Sequence, residues 1–167
     1  TMVLAGTARM EFRVQEFLFP GGPVQAEYVQ LFGLNNWGGS CCIEAYEFEV
    51  IDAELGGMPS LLSPGNVALP QSPALIPNGA QVVAYSSRYD ANHSPENMLD
   101  LVWGLPWASG SGQPTNQWVK IRLAGGDLYT LTGVRISPRA DCCQDQTVND
   151  FKVLVSTTTD DDAAFTE

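Results

Sequence analysis

Apolar and polar residues alternate in short stretches along this chain, with turn-forming residues between them. Within residues 43–51, Tyr46, Phe48 and Val50 alternate with Glu47 and Glu49, the period-two signature of a half-buried strand. Residues 118–123 read the same way: Val119, Ile121 and Leu123 face a core while Trp118, Lys120 and Arg122 face out. In residues 151–156, Phe151, Val153 and Val155 take the inner positions. Further strands are predicted over residues 15–19, 26–34, 81–85 and 128–137, and residues 163–167 open one more. Pro20-Gly21-Gly22-Pro23 and Asn35-Asn36-Trp37-Gly38-Gly39-Ser40 are turn signals between them. Helical signal is confined to a single turn at residues 95–99. About eight antiparallel strands predict an all-β chain, a two-sheet β-sandwich or jelly roll. Residues 53–79 break the pattern: five prolines and four glycines with no period read as a linker.

The 167 residues, 44% hydrophobic, suit one core rather than two full domains. Charge narrows the partners. With 8 basic against 19 acidic residues the net charge is −11, so a phosphate-binding surface is excluded and nucleic acid with it. Anionic membranes are disfavoured for the same reason. No apolar run reaches the roughly 18 residues a membrane span needs, so no membrane insertion is expected. The start, Thr1-Met2-Val3-Leu4-Ala5-Gly6, has neither a basic flank nor a long apolar segment, so a signal for export would lie outside this chain.

The four cysteines form two adjacent pairs, Cys41-Cys42 and Cys142-Cys143, each in a polar turn. Zinc sites favour spacings such as C-x2-C, which adjacent cysteines serve poorly. Disulfides in a secreted or cell-surface protein are the better reading. Of the three possible pairings, links between the two loops are expected, because bridging neighbours closes a strained small ring.

Catalytic signals are weak. The one histidine, His93, sits in a Tyr-Asp-Ala-Asn-His-Ser-Pro loop with no nucleophile motif nearby, and no carboxylate lies in an apolar context that would raise its pKa. A non-enzyme is expected.

Residues 86–109 and 118–156 resemble the discoidin family, also called the coagulation factor type C domain, which includes galactose-binding-like carbohydrate-binding modules. The stretches that carry the resemblance begin with Ser86-Ser87-Arg88-Tyr89-Asp90, Glu96-Asn97-Met98-Leu99-Asp100 and Trp107-Ala108-Ser109. They continue with Gln117-Trp118-Val119, Leu131-Thr132-Gly133-Val134-Arg135-Ile136, Pro138-Arg139 and Asp150-Phe151-Lys152-Val153-Leu154-Val155-Ser156. The family's closing strands also have a counterpart, but at the start of the chain: Ala26-Glu27-Tyr28-Val29-Gln30-Leu31, Asn36-Trp37-Gly38-Gly39 and Tyr46-Glu47-Phe48-Glu49-Val50. Residues 80–167 thus resemble the opening strands of one domain and residues 1–52 its closing strands, with 53–79 as the linker. Three arrangements satisfy this order: a circularly permuted domain, a unit of a tandem array cut mid-domain, or strand exchange between copies.

The resemblance implies a galactose-binding-like jelly-roll sandwich with a structural calcium ion. It places Asp100 at the aspartate ligand, Ser109 near the hydroxyl ligand and Glu47 at the glutamate of the closing strand. The family's usual glycine after the aspartate is Leu101 here. For a glycan the resemblance points to Tyr89 and His93, to Arg139 with Asp141, and to Asn36 and Trp37. A guanidinium can fork onto two adjacent hydroxyls, and an aromatic ring can stack on a sugar's apolar face. The expected function is non-catalytic glycan recognition through loops at one end of the sandwich. The alternative is a structural repeat unit of an extracellular filament, assembled by strand exchange with copies of itself. A weaker third is adhesion to protein or lipid through apolar loop tips.

Overall fold

The computed structural model describes residues 1–11, 13–54, 74–102, 104–137 and 143–166. The strands are β1 (Met2–Thr7), β2 (Gln15–Leu18), β3 (Val24–Ala26), β4 (Tyr28–Asn35), β5 (Glu44–Ala45), β6 (Glu47–Asp52), β7 (Gln81–Tyr85), β8 (Trp107–Ala108), β9 (Thr115–Arg122), β10 (Tyr129–Ser137) and β11 (Asp150–Ser156). The count exceeds eight partly because two expected strands each break once, at Glu27 and at Tyr46. There the backbone N–H turns to bond Ser156 O and Ser137 O respectively. The helical elements among the described residues are short 3₁₀ turns, one of them Pro95–Leu99. Another, Asp162–Ala164, occupies the place where a last strand was expected.

The ladders between named strands are antiparallel. One sheet has the order β1-β11-β4-β9-β7; the other is built on β10, which pairs with β2, β3 and β6. A small β5-β8 ladder lies beside them. The core fills the gap between the sheets. Val29, Leu31, Val119, Ile121, Phe151 and Val153 come from the first sheet, and Phe48, Val50, Leu131, Val134 and Ile136 from the second, all essentially inaccessible to solvent. Burying each such side chain contributes about 1.5–3 kcal/mol. A register shift between Leu131 and Gly133 lets Leu131 and Val134 both reach the interior. At Gly133 a Cβ would come within 2.4 Å of Phe17 O, so glycine is what lets β2 close on β10.

Alternation misjudges two places. Strand β6 is buried on both faces: Glu47 and Glu49 are each only 1% exposed. Glu49 lies 3.8 Å from Arg135 Nη1, and Arg135 also holds Glu16 at 3.0 Å across β10 and β2. Lys120, on the outer face of β9, is buried by the chain's tail. Its ammonium bonds Asp160 O, sits 2.6 Å from Asp162 Oδ1 and lies over the rings of Trp118 and Phe165. The acidic run 160–162 is therefore a latch as well as a solvated turn.

Residues 1–52 and 80–167 interleave in both sheets, with β4 between β11 and β9. The two ends of the chain meet: Met2 N–H donates to Thr166 O at 2.8 Å, and the Thr1 amine donates to Val155 O at 2.8 Å.

Candidate functional site

Strand directions decide which loops share an end. Asn35 lies opposite Thr115, Thr7 opposite Asp150, Ser137 opposite Glu47, and Gln15 opposite Ile136. The loops after β1, β4, β7 and β10 and before β9 therefore gather at one end of the sandwich. Asn35 and Asp150 lock this end by paired bonds at 2.9 and 3.0 Å, and Thr7 adds a third at 2.7 Å. The Thr7 hydroxyl and then the Asn35 amide hold the Asp150 carboxyl below its ordinary value.

The loop after β7 is fixed at its root and open at its tip. Ser86 and Ser87 hydroxyls both donate to Gln117 Oε1, at 2.8 and 2.5 Å. The indole N–H of fully buried Trp107 donates to Ser87 O at 3.2 Å, and Tyr89 N–H to Ala108 O at 2.8 Å. Beyond that root the Tyr89 ring is 49% exposed, and the His93 ring meets it edge-on with centroids 5.5 Å apart. His93 Nδ1 lies 2.8 Å from Asp90 Oδ1, which also accepts the N–H groups of Asn92 and His93. The bond from His93, with those backbone donors, lowers the Asp90 carboxyl below its ordinary value. Exposed Arg88, missed from sequence as a site residue, stands next to Tyr89 with no ion pair among the described residues. Its signal was its place inside the Ser-Ser-Arg-Tyr-Asp stretch itself.

The loop after β4 divides its two expected site residues. The Asn36 amide is committed to its own turn: Nδ2 donates to Gly39 O and Cys42 O, and Oδ1 accepts from Gly38 N–H. Trp37, lifted by that turn, is 38% exposed. Arg139, Asp141 and Cys142 lie outside the described residues.

Cys41 is bonded to its neighbour Cys42, not to the other cysteine loop as expected. The two loops do adjoin, through Gly39 N–H to Asp145 O at 3.0 Å. Gln146 Oε1 of the opposing loop lies 3.1 Å from the Cys42 sulfur. Cys143 is exposed.

The three expected metal ligands fare differently. Both carboxylate oxygens of Glu47 are buried, and among the described residues neither has a well-formed hydrogen bond, although the Leu101 N–H faces the group. Burial first, then the like charges of Asp100 and Glu49, pushes the Glu47 carboxyl up to about 9, which the Leu101 N–H only partly offsets. A carboxylate in a pKa-raising environment is therefore present, against expectation, because the Leu101 loop closes over β6. Burial also raises Asp100, against the Val102 N–H that it accepts at 2.7 Å. Ser109, in contrast, has its hydroxyl occupied: it accepts Ile43 N–H and donates to Gln113 O, both at 2.8 Å. No three His, Cys, Asp or Glu side chains gather as a metal set among the described residues. The pair Glu47 and Asp100, with neighbouring loop carbonyls, fits a hard, oxygen-ligated cation: the two carboxyl groups interact, and the oxygens of Glu47 lack well-formed hydrogen bonds among the described residues.

Leu101 takes the left-handed conformation, φ 63°, at the position where the family usually has glycine. A leucine there costs about 1 kcal/mol relative to glycine. Leu101→Gly is expected to raise the denaturant midpoint, by up to about 1 kcal/mol of stability. A fall in the midpoint would mean that contacts of the half-buried leucine outweigh the strain.

The F5/8 type C domain family matches residues 81–167, more than half of the chain. No curated protein matches it.

Proposed function

The chain belongs to the F5/8 type C (discoidin) domain family, and on that premise we propose that it is a non-catalytic carbohydrate-binding module of a secreted or cell-surface protein. Modules of this family commonly bind carbohydrate or lipid. The observation that carries the glycan reading is the exposed Tyr89 ring, braced by His93 and flanked by Arg88 and Asp90 on an anchored loop. A pyranose offers one apolar face to the ring and equatorial hydroxyls to planar polar groups. The Arg88 guanidinium donates to such hydroxyls, and the outer oxygen of Asp90 accepts from them. Bracing before ligand arrives lowers the ordering cost of binding. Trp37 extends the surface, and the family resemblance adds Arg139 and Asp141 as candidate contacts.

Glu47 and Asp100 would hold a calcium ion beneath the same loop, with backbone carbonyls completing the shell. The ion would neutralise two crowded carboxylates and pin the loop that carries Tyr89.

A glycan array tests the reading, with Tyr89→Ala and Arg139→Ala as controls. The unsubstituted chain should bind a subset of glycans, and Tyr89→Ala should weaken that binding about tenfold, the stacking share of roughly 1–1.5 kcal/mol. No glycan signal from the unsubstituted chain would remove the proposal. A lipid reading is favoured by one observation: Met10, Trp37, Tyr89, Val102 and Leu105 are exposed apolar residues in loops at this same end. With a net charge of −11 it is confined to uncharged headgroups, and phosphatidylcholine vesicles form the matching arm.

A further inference from the structure

In most sheets consecutive strands pair or neighbour one another roughly two-thirds of the time. Here the strands before and after the linker divide differently. Among the described residues, no ladder joins any two of β1 to β6. β1 and β4 pair with β11, β4 also with β9, β5 with β8, and β2, β3 and β6 all with β10. Within residues 80–167 one ladder is internal, β7 with β9. The isolated bridges obey the same division: Asn36 with Val148, Glu44 with Thr147, and Cys42 with Gln113. So do the cross-strand ion pairs, Arg122 with Glu27 at 3.0 Å and Arg135 with Glu16 at 3.0 Å.

Residues 1–52 thus have no sheet of their own, and residues 80–167 have a sheet with a vacant slot between β11 and β9. Each part presents bare edges that only the other covers. Nothing in these ladders requires the two parts to share a chain. The segment between them has Ala74 and Leu75, both fully buried, near its end, and joining the two parts in one chain only raises how often they meet. It does not supply their pairing.

We propose that residues 1–52 are a transferable completion segment, which closes the 80–167 half of a second copy of this chain with the ladders it makes in its own. The partner is another copy of this chain. Because the donor and acceptor surfaces differ, the contact is head-to-tail, so open chains of copies form as readily as closed rings.

The test uses two full-length variants that fail in opposite halves. Leu31 on β4 faces Val153 on β11 across one ladder, and both are fully buried. Leu31→Asp disables the completion segment, and Val153→Asp disables the acceptor. Neither variant alone should fold. Co-refolded in equal amounts, the intact segment of one should complete the intact acceptor of the other. Up to half of the native near-ultraviolet circular dichroism should then return, with a one-to-one complex in native mass spectrometry. In a second arm, two wild-type chains of different tagged mass are co-refolded at high concentration. Hetero-oligomers there, but not after separate refolding and mixing, report exchange without any core charge. Recovery in either arm supports the proposal. A mixture equal to the mean of its parents, with only monomers in the wild-type arm, overturns it. Neither readout involves glycan or calcium, so failure here leaves the binding function standing.

Discussion

With calcium chelated, the folded chain should lose stability steadily as the pH rises from about 5 to 8, and calcium should abolish the loss. The effect originates in Glu47. Its carboxyl is pushed up to about 9 in the fold, against an ordinary value of 4.5. Between those values the folded state keeps a proton that the unfolded chain releases, so each step up in pH favours unfolding. At about 1.4 kcal/mol per pH unit for one proton, three units amount to at most about 4 kcal/mol. Asp100, raised by the same burial, adds in the same direction. Asp90 and Asp150 are lowered, so their contributions are lost only below their ordinary value of 3.8, outside this range.

A calcium ion held by Glu47 and Asp100 would invert this logic by favouring the ionised pair. Thermal melts at pH 8 should then rise on adding calcium, with the slope against pH flattened. Glu47→Gln separates the causes. In chelator it should be more stable than the parent at pH 8 and much less dependent on pH, and calcium should no longer raise its melting temperature. An unchanged slope in Glu47→Gln would locate the pH dependence elsewhere, and a calcium response that survives the substitution would move the ion away from β6.

Glu47 also marks where sequence stops being legible. Alternation identifies which residues of a strand share a face, and it did so for Val119 and Ile121 on β9 and for Phe151 and Val153 on β11, all of which lie in the core. It does not say what covers the other face. In β6 that cover is the Arg135 side chain over Glu49 and the Leu101 loop over Glu47. In β9 it is the acidic tail over Lys120. Each cover comes from residues far along the chain, so no local period announces it. The cysteine pairing had a similar limit. The loops of Cys42 and Cys143 adjoin, but which sulfurs bond depends on side-chain placement that spacing does not fix, and Cys41 bonds its own neighbour. For the candidate site, the motif around Tyr89 was legible because aromatic and planar polar residues cluster there. Asn36 looked equivalent by composition, yet its amide holds its own turn.

Trp107 ties the core to the proposed binding loop, and its substitutions should separate stability from affinity. Its side chain is fully buried, so Trp107→Ala should cost about 3–5 kcal/mol in chemical denaturation. That loss is large for a domain of this size and leaves the fold marginal. Trp107→Phe is more informative. It keeps most of the packing but removes the indole N–H, leaving Ser87 O without the donor it has at 3.2 Å, at a cost of about 1–3 kcal/mol. The chain stays folded, while the root of the Tyr89 loop loses one of its ties. Glycan affinity measured on the folded protein should then fall severalfold although no ligand-facing group has changed, and Tyr89→Ala should have less left to remove when added to Trp107→Phe. Undiminished affinity in Trp107→Phe would show that the serine bonds to Gln117 hold the loop unaided. The aromatic platform would then owe its position to β9 and not to the core.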